Sequence, residues 1–184
     1  MATIKHSGKC IVAAGLMSVG FSLPLYGESV DDMFAALQSA NSEEAARIQE
    51  RIINDWAKSG SPSVDLLLQR GEEAIDNGNL PAAVEHLTAA IDHAPQFAAA
   101  YNARATAYYL QGYYGPALDD IRQTLVLNPR HFYAMAGFAV MLEEFGRQEE
   151  ALELYRQIDS IHPHLPEVDS SIVRLDLLLG GEPL

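Results

Sequence analysis

Adjacent acids such as Asp119-Asp120, Glu143-Glu144 and Glu149-Glu150 are groups in this sequence that could perform general acid–base chemistry. Neighbouring residues on a helix point about 100° apart, so no pair forms a carboxylate dyad by itself, and each reads as solvated surface. His162-Pro163-His164, with His131, offers imidazoles to a metal, but no H-E-x-x-H, no cysteine ligand and no regular ligand spacing accompanies them. These histidines, and His86 and His93 on similar faces of one helix, are expected at the surface. Nucleophile-elbow, P-loop and dinucleotide fingerprints do not occur. The expectation is a protein that is not an enzyme, with no catalytic residue, cofactor or metal.

The elements around these residues point to binding instead. In 184 residues there are 25 acids against 12 lysines and arginines, which disfavours nucleic acid and anionic membrane as partners. A basic or apolar protein partner fits this charge better. Lys5, His6 and Lys9 precede an apolar stretch from Cys10 to Leu25, the order of a secretory signal. Residues 1–27 are expected to be cleaved off after Gly27, because the run falls short of the ~18 residues that span a bilayer and contains Pro24. Loss of Lys5 and Lys9 would leave 10 basic residues and 25 acids, with Lys58 the remaining lysine. Cys10 is the lone cysteine, so the mature chain would tolerate an oxidising compartment without disulfides. The expected location is a bacterial periplasm, with the chain soluble there and free of membrane after cleavage.

Residues 28–61 predict a helical hairpin. Met33, Phe34 and Leu37 mark one apolar stripe, and Ala45, Ile48, Ile52 and Trp56 mark another, with Asn41 placed to cap the second helix. Ser59 to Ser63, with Gly60 and Pro62, ends it. Chain order places this pair over the segment that follows.

A period then dominates. Pro95, Pro129 and Pro163 lie 34 residues apart, as do Gly78, Gly112 and Gly146, Ala83, Ala117 and Ala151, and Leu87, Ile121 and Tyr155. In each unit an apolar helix ends near the glycine, the alanine lets a second helix approach, and the proline terminates it. One such hairpin cannot bury its apolar face alone, so neighbours must stack.

These columns resemble the tetratricopeptide repeat family. The first copy has Leu67, Gly71, Ala74, Ala83, Leu87 and Pro95; the second has Tyr101, Ala105, Tyr108, Ala117, Ile121 and Pro129; the third has Met135, Ala139, Leu142, Ala151, Tyr155 and Pro163. The resemblance implies an all-α, right-handed solenoid of three hairpins over 64–165 (64–97, 98–131 and 132–165), with 166–184 as capping helix and tail. Arg70 and Arg104 depart from the pattern and are expected to lay their stems on the interface with the heads in water. Thr124 and Ile158 depart at a position where Ala90 keeps the usual alanine. In the cap, Val168, Ile172, Leu175 and Leu179 share one face, and Gly180-Gly181 ends the helix.

The resemblance also places function on the concave face lined by the first helix of each hairpin. It assigns Asp65, Leu68, Glu72 and Asp76 from the first copy, Asn102, Thr106 and Tyr109 from the second, and Tyr133, Val140 and Glu143 from the third. Such a groove, apolar and aromatic with acidic edges, suits a peptide or protein segment with apolar anchors and basic residues. Packing between hairpins is the alternative role for Leu68, Tyr109, Tyr133 and Val140. Some relatives grip a carboxylate-ended chaperone tail with lysines and arginines on this face, and this sequence has acids there instead. The expected role is a scaffold or adaptor; the alternative is a structural subunit that self-associates or sits permanently in an envelope complex.

Overall fold

Each 34-residue period folds as two antiparallel helices closed by a glycine turn: α3 (Pro62–Asp76) with α4 (Leu80–His93), α5 (Ala98–Leu110) with α6 (Tyr114–Leu127), and α7 (Phe132–Glu144) with α8 (Gln148–Ile161). The computed structural model describes residues 29–180; the expected signal segment and the tail from Gly181 lie outside them. Two helices precede the hairpins, α1 (Val30–Leu37) and α2 (Ser42–Trp56), and α9 (Pro166–Leu178) follows. The described residues contain no strand, and the fold is an all-α solenoid.

The glycine column has a conformational cause. Gly78, Gly112 and Gly146 take φ of 70°, 77° and 74°, left-handed values at which a Cβ would be strained. That geometry folds the chain back on the helix it leaves. Asn79 N–H donates to the Ala74 carbonyl at 2.8 Å, Tyr113 N–H to Tyr108 at 2.9 Å and Arg147 N–H to Leu142 at 2.8 Å, so the same cap is built three times.

The alanine column has a packing cause, since Ala83, Ala117 and Ala151 are wholly buried where the paired helices meet. On the facing helices the equivalent small residues are Gly71, Ala105 and Ala139. A Cβ at Gly71 would overlap the Leu87 side chain, which fills the space that a methyl group occupies in the other two hairpins. Thr124 and Ile158 are also wholly buried; the Thr124 hydroxyl is satisfied by donating to the Asp120 carbonyl at 2.9 Å.

Arg104 corrects one expectation. Its head does not go to water: Nε and an Nη group donate to the two carboxylate oxygens of Asp120, each at 2.8 Å, and the other Nη donates to Thr88 Oγ1 at 3.0 Å. Asp120, expected on the solvated surface, is 6% exposed. The planar guanidinium also lies 5.7 Å from the Tyr101 ring centre and 5.8 Å from that of Tyr108. One buried pair thus ties α4, α5 and α6 together, while Arg70 stays exposed as expected.

The N-terminal hairpin is the larger correction. It does not cover the first tetratricopeptide-like hairpin; its buried residues, Met33, Phe34, Leu37, Ala45, Ile48 and Ile52, share a core with α7, α8 and α9. Trp56 stacks on His131 with ring centres 4.5 Å apart and meets Phe132 at 5.0 Å. The Arg130 guanidinium sits 4.3 Å from the Phe34 ring centre and pairs with Asp31. Gln38 Nε2 donates to the carbonyls of Ser160 and Ile161 at 3.2 and 3.1 Å. The hairpin therefore lies along the edge made by the loops that enter and leave the third hairpin. Asn41 does cap α2, accepting from Glu44 N–H at 3.0 Å, and a reciprocal Ser29–Asp32 box caps α1.

Two histidines expected at the surface sit under this hairpin. His131 and His162 are 3% and 1% exposed. His131 Nδ1 accepts from Ala134 N–H at 3.2 Å, which fixes the neutral tautomer with its proton on Nε2. Burial pushes its pKa down from 6.5 to about 4, and burial also lowers that of His162. A histidine pKa depressed by folding gives stability that is complete above pH 6.5 and lost as pH falls toward about 4. The His131 shift corresponds to about 3 kcal/mol. Thermal melts at about pH 7 and about pH 4.5 should show that loss, and His131→Asn, which keeps a capping oxygen but cannot titrate there, should reduce it and leave the part that His162 contributes. An equal slope in both proteins would assign the loss to other groups.

At the other end, α9 buries Val168 and Leu175 but leaves Val173, Leu177 and Leu178 in water. It covers the last hairpin without presenting the polar outer face expected of a terminal cap. Gly180 ends it with φ of 83°.

Candidate functional site

Helices α3, α5 and α7, the first of each hairpin, stand side by side, and α5 and α7 part enough to leave a hollow of about 360 Å³. Its floor is Ala105, Ile121, Ala134 and Met141, small or apolar residues from α5, α6 and α7. Its walls are Asn102, Thr106 and Tyr109 from α5 and Tyr133, Gly137 and Val140 from α7. The sequence places the α5 set at spacings of four and three, so the three side chains share one helical face; Tyr133, Gly137 and Val140 repeat that spacing on α7.

Both ends of the hollow are closed by tyrosine hydrogen bonds. Tyr109 Oη donates to Glu144 Oε1 at 2.5 Å, linking α5 to α7, and this donation, with a smaller contribution from burial, pushes the phenol up to about 12. At the opposite end Gln49 Nε2 donates to Tyr133 Oη at 2.8 Å. Gln49 Oε1 accepts from His162 Nε2 at 2.9 Å, so α2 and the buried imidazole together hold Tyr133. The Tyr133 proton has no acceptor among the described residues, and burial followed by the nearby Glu167 carboxylate raises its pKa. Asn102 has no side-chain hydrogen bond among the described residues, although it is half-buried in the wall. Its amide can donate and accept at once.

Five of the ten residues assigned from the sequence converge here: Asn102, Thr106, Tyr109, Tyr133 and Val140. The other five do not. Leu68 is 2% exposed and belongs to the core of the first hairpin. Asp65 turns to the α2–α3 junction, accepting from Ser59 N–H at 2.7 Å and Ser59 Oγ at 2.5 Å, which holds its carboxyl below the usual range. Glu143 points between α8 and α9; Arg174 donates to it at 2.6 and 2.9 Å and Tyr155 Oη at 3.0 Å. The Arg174 pairing lowers the Glu143 pKa. Glu72 and Asp76 stay exposed on α3, where surrounding protein and then Asp76 push the Glu72 carboxyl upward. Gln49 and His162 are parts of the site's frame that the sequence assignment leaves out, while Glu144 follows from the same concave-face register. Among the described residues no group of three or more His, Cys, Asp or Glu is arranged to hold a metal ion, and no helix is long and apolar enough to cross a membrane.

The sequence profile of the tetratricopeptide repeat matches residues 68–115 and 114–166. The chain belongs to the tetratricopeptide repeat family. A TPR repeat-containing protein of Rhizobium etli is 32% identical over 137 residues, which are 74% of this chain and 67% of that protein. Small glutamine-rich tetratricopeptide repeat-containing protein 2 of Saccharomyces cerevisiae is 30% identical over 123 residues, 66% of this chain but only 35% of that longer protein. Among solved structures, the first TPR of Spaghetti (RPAP3) bound to the HSP90 peptide SRMEEVD superposes with a TM-score of 0.62 at 20% identity. The match covers 66% of this chain and 98% of that one, and at this identity it speaks for the shared fold alone. The TPR hairpins account for the hollow, since stacked first helices line one side of the array; the α1–α2 hairpin along its edge adds Gln49 to the frame.

Proposed function

We propose that this TPR chain is an exported interaction scaffold that holds an apolar-anchored, basic peptide or protein segment in the hollow between α5 and α7. The carrying observation is the convergence of Asn102, Tyr109, Tyr133 and Val140 on one apolar-floored cavity that still offers an unused amide and an unused phenol proton. A cavity of this size accepts one large apolar side chain, while the free amide and phenol suit the carbonyl and N–H groups of an extended backbone. Glu144 at the mouth and Glu72 and Asp76 on the neighbouring helix favour a basic flank. The solved relative with SRMEEVD supports peptide binding as a use of this architecture. That peptide is acidic, however, and the carboxylates around this hollow argue for a ligand of opposite charge.

The test is a pull-down from envelope extract with the chain from residue 28, beside a folded variant carrying Asn102→Ala, Tyr109→Ala and Tyr133→Ala. A partner held by the native chain should be retained at least about tenfold less by the variant, since loss of buried aromatic and amide contacts at a binding centre typically costs more than 1 kcal/mol each. Equal retention by both proteins would move the contact to another face.

A further inference from the structure

Beyond the hollow, the edge where α5 turns into α6 and α7 into α8 carries a second, outward-facing group of side chains. Tyr109, Tyr114 and Phe145 form a continuous ridge: Tyr109 and Tyr114 have ring centres 5.8 Å apart, and Tyr114 meets Phe145 edge to face at 5.8 Å and 88°. Tyr114 is 40% and Phe145 46% exposed, a large aromatic area for a surface of this acidity. The Tyr114 hydroxyl makes no hydrogen bond among the described residues. Glu144, exposed beside the ridge, uses one carboxylate oxygen for Tyr109 and leaves the other open.

What this edge lacks is equally informative. Four carbonyls in the last turns of α5 and α7 are already used: Tyr108 by Tyr113 N–H, Tyr109 by Gly112 N–H, Leu142 by Arg147 N–H and Glu143 by Gly146 N–H. Those four offer no row for pairing with a strand, and an ordinary extended peptide would bury more amide protons against the rings than the single open Glu144 oxygen and the Tyr114 hydroxyl can receive. A proline-rich segment avoids that cost. Proline has no N–H, and the polyproline II conformation is preformed and turns its carbonyls outward, where a phenol such as Tyr114 can donate to them. The open Glu144 oxygen, on a chain with a formal charge of −13, then selects a ligand with a basic residue beside its prolines.

We propose that the Tyr109–Tyr114–Phe145 ridge with Glu144 is a docking surface for a proline-rich segment in polyproline II conformation that carries Arg or Lys. The ridge shares Tyr109 and Glu144 with the mouth of the hollow, whereas Tyr114 and Phe145 lie outside it and separate the two surfaces in a test. The probe is the acetylated peptide PPRPPPRPP, with a control in which every proline is alanine and the charges are kept, titrated by NMR against the chain from residue 28. Saturable binding in the micromolar range is expected, about tenfold weaker for the alanine control and for Tyr114→Ala or Phe145→Ala. Tyr114→Phe, which keeps the ring and removes the donor, should weaken binding several-fold, and Val173→Ala on α9 should leave it unchanged. Circular dichroism confirms that each variant is folded. No binding at about 1 mM, equal binding of the alanine control, or indifference to Tyr114→Ala and Phe145→Ala would overturn the proposal, and none of these results bears on the hollow.

Discussion

Asp120→Ala is expected to destabilise the fold by about 3–5 kcal/mol, because it leaves the Arg104 guanidinium between three helices without its counter-charge. Two hydrogen bonds of 2.8 Å are lost together, and Thr88 at 3.0 Å supplies only a neutral oxygen in their place. The Arg104 side chain is 17% exposed, so some hydration survives and the lower end of the range is favoured. The double variant Arg104→Met, Asp120→Leu should recover most of the loss, since replacing a buried pair by apolar groups of similar volume removes the desolvation cost as well as the attraction. Chemical denaturation of the two proteins measures both effects. A loss below about 1 kcal/mol for Asp120→Ala would mean that the guanidinium reaches water easily and that the pair adds little.

Phe132→Ala is expected to cost a similar 3–5 kcal/mol, for a different reason. Phe132 is wholly buried and its ring meets four others: Tyr133 at 4.8 Å, Trp56 and His162 at 5.0 Å, and Phe34 at 6.4 Å. Truncation opens a cavity where α1, α2, α7 and the α8–α9 loop meet, and packing on one side cannot close it without moving the others. Because Trp56 is the lone tryptophan, its fluorescence reports this junction directly. The variant should show red-shifted emission before global unfolding as the N-terminal hairpin loosens. Unchanged emission, with a melting temperature near that of the native chain, would show that the hairpin does not depend on this cluster.

The array was legible in the sequence because its constraints are local and recur. Gly78, Gly112 and Gly146 mark left-handed turns, and Ala83, Ala117 and Ala151 mark close helix contacts, so the 34-residue period reports the same geometry three times. Placement of α1–α2 had no such signal. Gln49 meets Tyr133 and His162, 84 and 113 residues away, and nothing periodic links those positions. Chain order suggested the nearest hairpin, while aromatic packing at Trp56, His131 and Phe132 decided for the third.

The partner of Arg104 did have a signal. Residues 16 apart face each other across a hairpin, and that offset leads from Arg104 to Asp120 but from Arg70 to His86, so one arginine finds a carboxylate and the other stays in water. The hollow was legible to the extent that α5 and α7 repeat the family spacing. Leu68 and Asp65 followed the same register on α3, yet Leu68 is taken up by the first hairpin's core and Asp65 by the turn that connects α2. Register fixes which face a residue occupies; whether that face is open depends on neighbours that the register does not contain.

The most direct measurement of the central claim is site-specific photo-crosslinking in the native compartment, with a photoreactive residue at Val140 in the hollow or at Val126 on α6. Val126 is 69% exposed and Val140 39%, so simple accessibility favours Val126. Ligand occupancy of the hollow predicts a discrete crosslinked partner from Val140, competed away when Tyr109 and Tyr133 are intact and excess unlabelled chain is present, and none from Val126. A discrete partner from Val126 with none from Val140 would contradict it.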